Sequence, residues 1–438
     1  MLHLFEAFGI ELEYMIVSKN NLRVAPIADW LLKQAEKLNQ KNNPTKTTLQ
    51  SIEWPSEVTI GQIGWSNELA LHVIEFKTAK PTKNFSQASQ GFNQAVQTAN
   101  QILSTASQPA TLLGTSAHPF FDPETEMRLW PHGSNEIYKA YHRIFDCRGH
   151  GWSNLQSMHI NLPFANDEEF GRLHAAIRVV LPLLSALCSS SPILESKTTN
   201  YLDTRLDYYR KNQSIIPSIT GFIIPEPVFS MSEYVERILK PMYRDIAPFD
   251  PDQTLHGEWL NSRGAIARFD RMAIEIRTMD IQECSAMDLA TAGFSIILLQ
   301  SLCNEEFCSI SKLQSITTDS LYQLFIKTMK YGSETIIEDS SILEVFDENQ
   351  PLSVKELLYK LLDRLSSNFS QLFQSESNHI AELLRFLLEF GSPAQRILQF
   401  IESKTGTLQS NQTIDHQLIL TLYQRMIECL ANNQPFQP

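Results

Sequence analysis

Phe8-Gly9-Ile10-Glu11-Leu12-Glu13-Tyr14-Met15-Ile16-Val17 reads as a β-strand whose only charges are Glu11 and Glu13. A period of two puts those carboxylates on one face of the strand. Two carboxylates about 7 Å apart on one strand face repel each other unless a cation lies between them, so a divalent metal is their natural partner. Taken alone, the pattern also describes a solvated strand face, and the rest of the chain has to decide.

Three further clusters carry chemistry. In Ala273-Ile274-Glu275-Ile276-Arg277-Thr278-Met279-Asp280, Glu275 and Arg277 share one strand face while Ile274 and Ile276 share the apolar one. Read alone this is a surface ion pair. Arg263, Arg268 and Arg271 lie just upstream, however, and arginines grouped beside a strand carboxylate can hold phosphate and carboxylate oxygens in bidentate fashion. In Asn67-Glu68-Leu69-Ala70-Leu71-His72-Val73-Ile74-Glu75-Phe76, a charge between Ile74 and Phe76 suggests that Glu75 points at a site. Strict alternation puts Glu68 and Glu75 on opposite faces, and they converge only if the chain bends between them. In Ser157-Met158-His159-Ile160-Asn161-Leu162, His159 and Asn161 alternate with apolar residues; a lone histidine there is more often a hydrogen-bonded core residue than a ligand.

The whole chain of 438 residues is 43% hydrophobic and 19% charged, the composition of a folded globular protein of about three domain-equivalents. Its net charge of −13 argues against nucleic acid as a partner, because that field repels a phosphate backbone. A nucleotide remains compatible if metal ions or local arginines neutralise it. Residues 1–10 carry no Lys or Arg and predict no export signal, and the most apolar runs, Val179–Cys188 and Phe294–Leu302, are shorter than the ~20 residues a membrane helix needs. Six cysteines without a CxxC fit a reducing cytosol, so a cytoplasmic protein without disulfides is expected, with Cys188 and Cys303 buried as small hydrophobes.

Besides the strands at Ile10–Val17, Leu69–Thr78 and Ala273–Met279, the pattern predicts helices around Ala28–Leu38, Ser86–Ser104, Phe170–Cys188 and Ala286–Leu302. Residues Asn39–Gln50 have loop composition, and Gly114–Gly151, dense in Pro, Gly, His and aromatics, reads as an ordered functional loop. After about residue 310 regular apolar spacing takes over. Ser353 and Glu356 form a capping box before a leucine face from Leu357 to Leu365, Ala381–Phe390 stops at Gly391 and Pro393, and a last helix covers Ile414–Leu430. The expected organisation is a domain over residues 1–305 followed by a helical extension over residues 306–438.

The order of the clusters, E-x-E on a strand, two glutamates seven apart, M-H-x-N and then I-E-x-R, resembles the glutamine-synthetase-like superfamily. Within it the chain resembles the family 2 glutamate-cysteine ligases, or carboxylate-amine ligases, over about residues 5–300 and less clearly to about 405. Trp130-Pro131-His132, Ala186–Pro192 with Tyr201–Arg205, and Arg271–Asp280 support the resemblance. It implies an α+β fold with a mainly antiparallel sheet funnel flanked by helices, holding two or three Mg²⁺ ions, with Mn²⁺ as an alternative. By this resemblance Glu11, Glu13, Glu68, Glu75, His159 and Glu275 are metal ligands. Arg277 touches the transferred phosphate and acts with Glu275 in catalysis. Arg205, Arg263 and Arg271 are expected at the carboxylate substrate, and Arg268 and Asn161 at the nucleotide. Asn161 departs from the H-x-H that many relatives carry.

The implied activity joins the γ-carboxylate of glutamate, or a similar carboxylate, to an amine such as cysteine, at the expense of ATP and through an acyl phosphate. The expected partners are therefore these small molecules, with no nucleic acid and no membrane, and a homo-oligomer is left open. Two alternatives stand beside it: a phosphotransferase to nitrogen, and a nucleotide-binding or regulatory protein of the same fold without turnover.

Overall fold

The computed structural model describes residues 1–42 and 53–438. The opening run forms β1 (Gly9–Ser18), the hub of an eight-stranded antiparallel sheet. The other strands are β2 (Glu57–Ile60), β3 (Ile63–Asn67), β4 (Val73–Thr78), β5 (Ala110–Leu113), β6 (Ser157–Pro163), β7 (Ala265–Arg268) and β8 (Ala273–Asp280). Their order is β2-β3-β4-β1-β6-β8-β7, and β5 pairs with the far end of β1. The α+β architecture with a mainly antiparallel sheet is the expected one.

Helices fill the connections: α1 (Ala28–Asn42), α2 (Phe85–Leu103), α3 (Asn135–Phe145), α4 (Asp167–Cys188), α5 (Thr204–Tyr209) and α6 (Ser285–Cys303). Beyond them lie α7 (Thr318–Tyr331), α8 (Val354–Leu365), α9 (Ser377–Phe390), α10 (Pro393–Thr405) and α11 (His416–Asn432). One face of the sheet supplies Ile10, Leu12, Tyr14, Ile74, Phe76, Ile160, Ile274 and Ile276, all fully buried, to a core shared with α2, α4 and α6. At about 1.5–3 kcal/mol for each fully buried large apolar side chain, this layer is the main force fixing strand register, because a slip of one residue would expose it.

On the opposite face β1 changes role along its length. Glu11 and Glu13 face a cavity, whereas Met15 and Val17 are buried in a second apolar cluster with Ile397 and Phe400 of α10 and Ile419, Leu422 and Met426 of α11. The C-terminal helices therefore cover the same sheet face that carries the carboxylates. A buried ion pair helps lock them there: Arg396 Nη1 on α10 lies 2.6 Å from Oε1 of Glu283, two residues before α6. The backbone of Phe436 closes the pair, its carbonyl accepting from Arg396 and its N–H donating to Glu283.

Several expectations shift. The capping box at Ser353 and Glu356 forms as read, and α9 stops at Gly391. The first four residues of the expected loop 39–50 instead complete α1, and its remainder lies outside the described residues. The strand expected from Leu69 begins only at Val73, because residues 68–72 form the connection of the β3–β4 hairpin. The region 114–151 is not all loop: after Ser134, in left-handed backbone with φ 66°, the chain winds into α3. Cys188 and Cys303 are buried, as expected. The helices holding the two most apolar runs are 22 and 19 residues long, long and apolar enough to cross a membrane, and both are almost wholly buried in the core.

Candidate active site

Cross-strand register assembles the site. Glu11 on β1 pairs with His159 on β6 and with Lys77 on β4, Glu13 pairs with Glu75, and Glu275 on β8 pairs with Asn161. Paired residues of neighbouring strands share a face, so one row of side chains runs from Lys77 to Glu275. Arg268 pairs with Ala273 and joins that face from β7. The Glu68 problem is solved by the hairpin: Ser66 pairs with Glu75, and Glu68 follows Ser66 by two. The chain reversal between β3 and β4 thus brings Glu68 and Glu75 to one cavity, which strict alternation along a single strand forbids.

The cavity encloses about 540 Å³ and is lined by Glu11, Glu13, Glu68, Glu75, His159, Glu275, Arg268, Arg271, Arg277 and Arg205 among others. His159 is its centre. Nδ1 lies 3.1 Å from Glu11 Oε2 and 3.7 Å from Glu275 Oε1, and Nε2 lies 3.9 Å from Glu13 Oε1. Burial alone would push the imidazole down, but the hydrogen bond to Glu11 and the charges of Glu13 and Glu275 outweigh it and hold its pKa up at about 9. Burial likewise works against the Glu11 carboxylate, yet His159, Lys77 and Arg277 bring its pKa down to about 2. Glu75 goes the other way, pushed up to about 7 by burial and the charge of Glu11, and Glu68 is pushed well up by burial and by Glu13 and Glu75.

Two donor triads converge, each with its atoms within 4.8 Å: Glu11, His159 and Glu275, and Glu13, Glu75 and His159. Carboxylate oxygens with one imidazole suit a hard divalent ion such as Mg²⁺ or Mn²⁺, so the residues present fit that group. Supporting hydroxyls pre-set them. Ser157 donates from its N–H (2.7 Å) and Oγ (2.9 Å) to Glu13 Oε2, and Ser66 Oγ donates to Glu75 Oε1 at 2.7 Å. Glu68 lines the cavity outside both triads.

The arginines divide. Arg277 Nε donates to Glu275 Oε1 at 2.6 Å, and Arg268 Nη1 to Glu275 Oε2 at 3.3 Å, so both sit at the carboxylate row. Arg271 stands at the rim, with its side chain 56% exposed. Arg205 lines the cavity but is buried, with Nε hydrogen-bonded to Asp280 and Nη2 to the Arg277 carbonyl at 3.3 Å. Arg263 is not brought to the cavity. Its guanidinium grips both oxygens of Glu226 at 2.6 Å and the carbonyls of Ser218 and Ile219 instead. Asn161 is at the metal end, donating from Nδ2 to Glu11 Oε1 at 3.0 Å.

Residues that the sequence reading did not single out complete the walls. Ser157 and Lys77 each stand two positions from a chosen residue, so the same alternation that marked His159 and Glu75 marks them too. Tyr138 and Tyr141 come from α3, and Tyr141 packs against Trp152 and Trp259 with ring centroids 5.0 and 5.9 Å apart. The density of aromatics between residues 130 and 152 was their only signal.

The model of the family described as glutamate-cysteine ligase family 2 matches residues 7–414 of the chain. An uncharacterized protein of Archaeoglobus fulgidus is 30% identical over 381 residues, covering 87% of this chain and 91% of that protein. Among solved structures, glutamate-cysteine ligase from Francisella tularensis in complex with AMP aligns with a TM-score of 0.58 at 13% identity, over 96% of this chain and 88% of that one. A bifunctional glutathione synthetase from Pasteurella multocida aligns at 0.52 and 13%, over 97% of this chain and 52% of its own. At these identities the structural likeness speaks to the fold.

Proposed function

The chain belongs to glutamate-cysteine ligase family 2 and is a carboxylate-amine ligase, and from that premise we propose that it couples ATP cleavage to amide formation between the γ-carboxylate of glutamate, or a similar carboxylate, and an amine such as cysteine. The observation that carries the reading is the pair of donor triads sharing His159, with Arg277 beside Glu275, inside one cavity. In the reaction the γ-phosphoryl group passes to a carboxylate oxygen and ADP leaves; the amine nitrogen then attacks the acyl carbon, and phosphate departs as the nitrogen loses a proton.

Divalent ions bound at the triads would neutralise the β- and γ-phosphate oxygens. Glu11, Glu13, Glu75, His159 and Glu275 would hold them. Arg277, fixed by Glu275, is poised to stabilise charge spread over the transferring group, a contribution worth roughly 10²–10³ in rate for one well-placed donor. Arg268 and Arg271 extend the positive flank toward the rim, where anionic ends of the substrates would enter. Arg205, held by Asp280 and the Arg277 carbonyl, supports the floor of the cavity from which a substrate carboxylate would be bound. No side chain is needed as a nucleophile, because the work is positioning and neutralisation.

The test is ADP release by the purified protein with ATP, Mg²⁺ and L-glutamate, with and without amines headed by L-cysteine, followed by mass spectrometry of the product. Glutamate-dependent ADP release that rises with one amine, together with the matching amide mass, is expected. ADP without an amide, or phosphorylation of the amine itself, would overturn the reading.

A further inference from the structure

The helix α3 turns one stripe of side chains to the cavity: Ser134 at its N-cap, Ile137, Tyr138 and Tyr141 all line it. Their spacing of three and four residues is that of a single helix face. On the opposite face Glu136, Lys139 and Arg143 are exposed, and of the eleven residues of the helix Ala140 and Tyr141 alone are buried. The helix is therefore not a piece of the core but a cover laid over the site. Its two tyrosines pin it at two places. The Tyr138 hydroxyl accepts from Asn67 Nδ2, at the end of β3, at 3.0 Å. Tyr141 packs against Trp152 and against Trp259, in the segment before β7, with ring centroids 5.0 and 5.9 Å apart. β3 and β7 lie on opposite sides of β1 in the sheet, so the cover spans the carboxylate row between them.

Electrostatics locate each ring. Burial and the charges of Glu68 and Glu75 push the Tyr138 phenol up, while burial pushes the Tyr141 phenol up against the opposing pull of Arg277. Tyr138 thus stands over the glutamates on the β4 side and Tyr141 over the arginine of β8. Between them lies the place where a phosphoryl group beside Arg277 would pass to a carboxylate. The acyl phosphate formed there has two fates. If the amine nitrogen attacks the acyl carbon, the bond from that carbon to the phosphate oxygen breaks, phosphate leaves, the nitrogen loses a proton and the amide forms. If a water oxygen attacks instead, the same bond breaks, a proton is lost, and the original carboxylate returns with phosphate and ADP as the only products. Water is the more abundant nucleophile, so amide formation depends on keeping it away from the reactive intermediate. Two aromatic rings and Ile137, held over the row by the helix, present the surface that does so.

Resting on the ligase reading, we propose that α3 is a water-excluding roof, and that the rings of Tyr138 and Tyr141 decide whether the activated carboxylate is taken by an amine or by water. The experiment compares ADP with product for the full chain given ATP, Mg²⁺, L-glutamate and hydroxylamine, a small amine that converts an acyl phosphate to a hydroxamate whatever amine the site prefers. Wild type, Tyr141→Phe, Tyr141→Ala and Tyr138→Ala are measured, each also without glutamate. Wild type and Tyr141→Phe should release about one ADP per hydroxamate, and the alanine variants at least about threefold more, the excess vanishing without glutamate. Alanine variants that are folded by circular dichroism and keep the wild-type ratio overturn the inference. So does excess ADP that persists without glutamate, because water then reaches ATP rather than the acyl phosphate, and so does a Tyr141→Phe as uncoupled as Tyr141→Ala. Tyr138 is only half-buried, and its variant decides the matter should Tyr141→Ala fail to fold. A wild type that forms no hydroxamate fails the ligase reading before any variant is compared, and the roof falls with it. Hydroxamate from wild type with unchanged ratios in the variants leaves that reading standing and removes the roof alone.

Discussion

Arg277 and Glu275, two residues apart on one face of β8, are joined by a 2.6 Å hydrogen bond from Nε to Oε1, while Arg268 holds the other carboxylate oxygen at 3.3 Å. The carboxylate thus orients the arginine and belongs to a metal triad at once. Replacing it by an isosteric amide keeps the shape and removes the charge that both tasks need. Glu275→Gln is expected to lower ATP turnover by roughly 10²-fold or more with the fold retained, read by ADP release and circular dichroism. Full activity in that variant would remove Glu275 from the mechanism.

Metal should stabilise the folded chain. The two triads are built only in the folded state, so ligand binding there shifts the unfolding equilibrium by about 2.7 kcal/mol at a concentration of 100 Kd. EDTA-stripped protein is expected to gain a few degrees in Tm on addition of Mn²⁺ or Mg²⁺, and Glu11→Gln and Glu13→Gln should shrink that gain. An unchanged Tm in the wild type would speak against metal binding at the triads.

Without metal, stability should fall as pH rises from 7 to 9. His72, His118 and His174, which burial lowers to about 4, 3 and 3, pull the other way only below about pH 7, whereas Glu75 is raised to about 7 and His159 to about 9 in the folded chain, so these two groups hold more protons folded than unfolded in this window. The stability that each contributes is fully present below its ordinary pKa and is lost as pH passes the raised one, a total of roughly a few kcal/mol. Glu11, lowered to about 2, acts only below its ordinary range, where stability is lost as pH falls. Thermal melts in EDTA at pH 7, 8 and 9 test this, and a Tm that climbs over that range contradicts it. Saturating Mg²⁺ should flatten the trend, because bound metal displaces the same protons.

The Arg396–Glu283 pair is wholly buried, and truncating one partner leaves an uncompensated charge. Arg396→Met should lower stability by about 3–5 kcal/mol, with Glu283→Gln recovering part of the loss in the double variant. Urea midpoints of the three variants decide it, and a single variant as stable as wild type would mean that the pair is not holding the C-terminal helices.

At the surface a smaller effect is expected. Ser353→Ala removes the side chain that caps α8 and should cost about 1 kcal/mol in a urea titration. No change would indicate that Glu356 or water takes over the cap.

How much of this was legible depended on whether the signal was local. Glu11 with Glu13, and Glu275 with Arg277, were readable because charges at alternate positions inside an apolar strand announce both the strand and its face. Glu68 with Glu75 was not, since their meeting depends on a chain reversal between β3 and β4 that the six intervening residues do not reveal. Arg263 and Arg268 look alike in sequence, and only the packing of the segment before β7 sends one to Glu226 and the other to Glu275. Arg205 finds Asp280 across 75 residues, a partnership that no spacing encodes. α3 was hidden by a His- and aromatic-rich composition that reads as loop until Ser134 turns the chain into it.

β1 serves three neighbourhoods with ten residues: the helix-covered core through Ile10, Leu12 and Tyr14, the cavity through Glu11 and Glu13, and the C-terminal helices through Met15 and Val17. Inserting or deleting one residue between Gly9 and Val17 would exchange these roles all at once, turning carboxylates into the core and leucine into the cavity. Descendants of this sequence can therefore drift here by substitution but not by changes in length. In related chains the spacing from Glu11 to Val17 should be held more tightly than the residues that fill it, a constraint open to checking by aligning them.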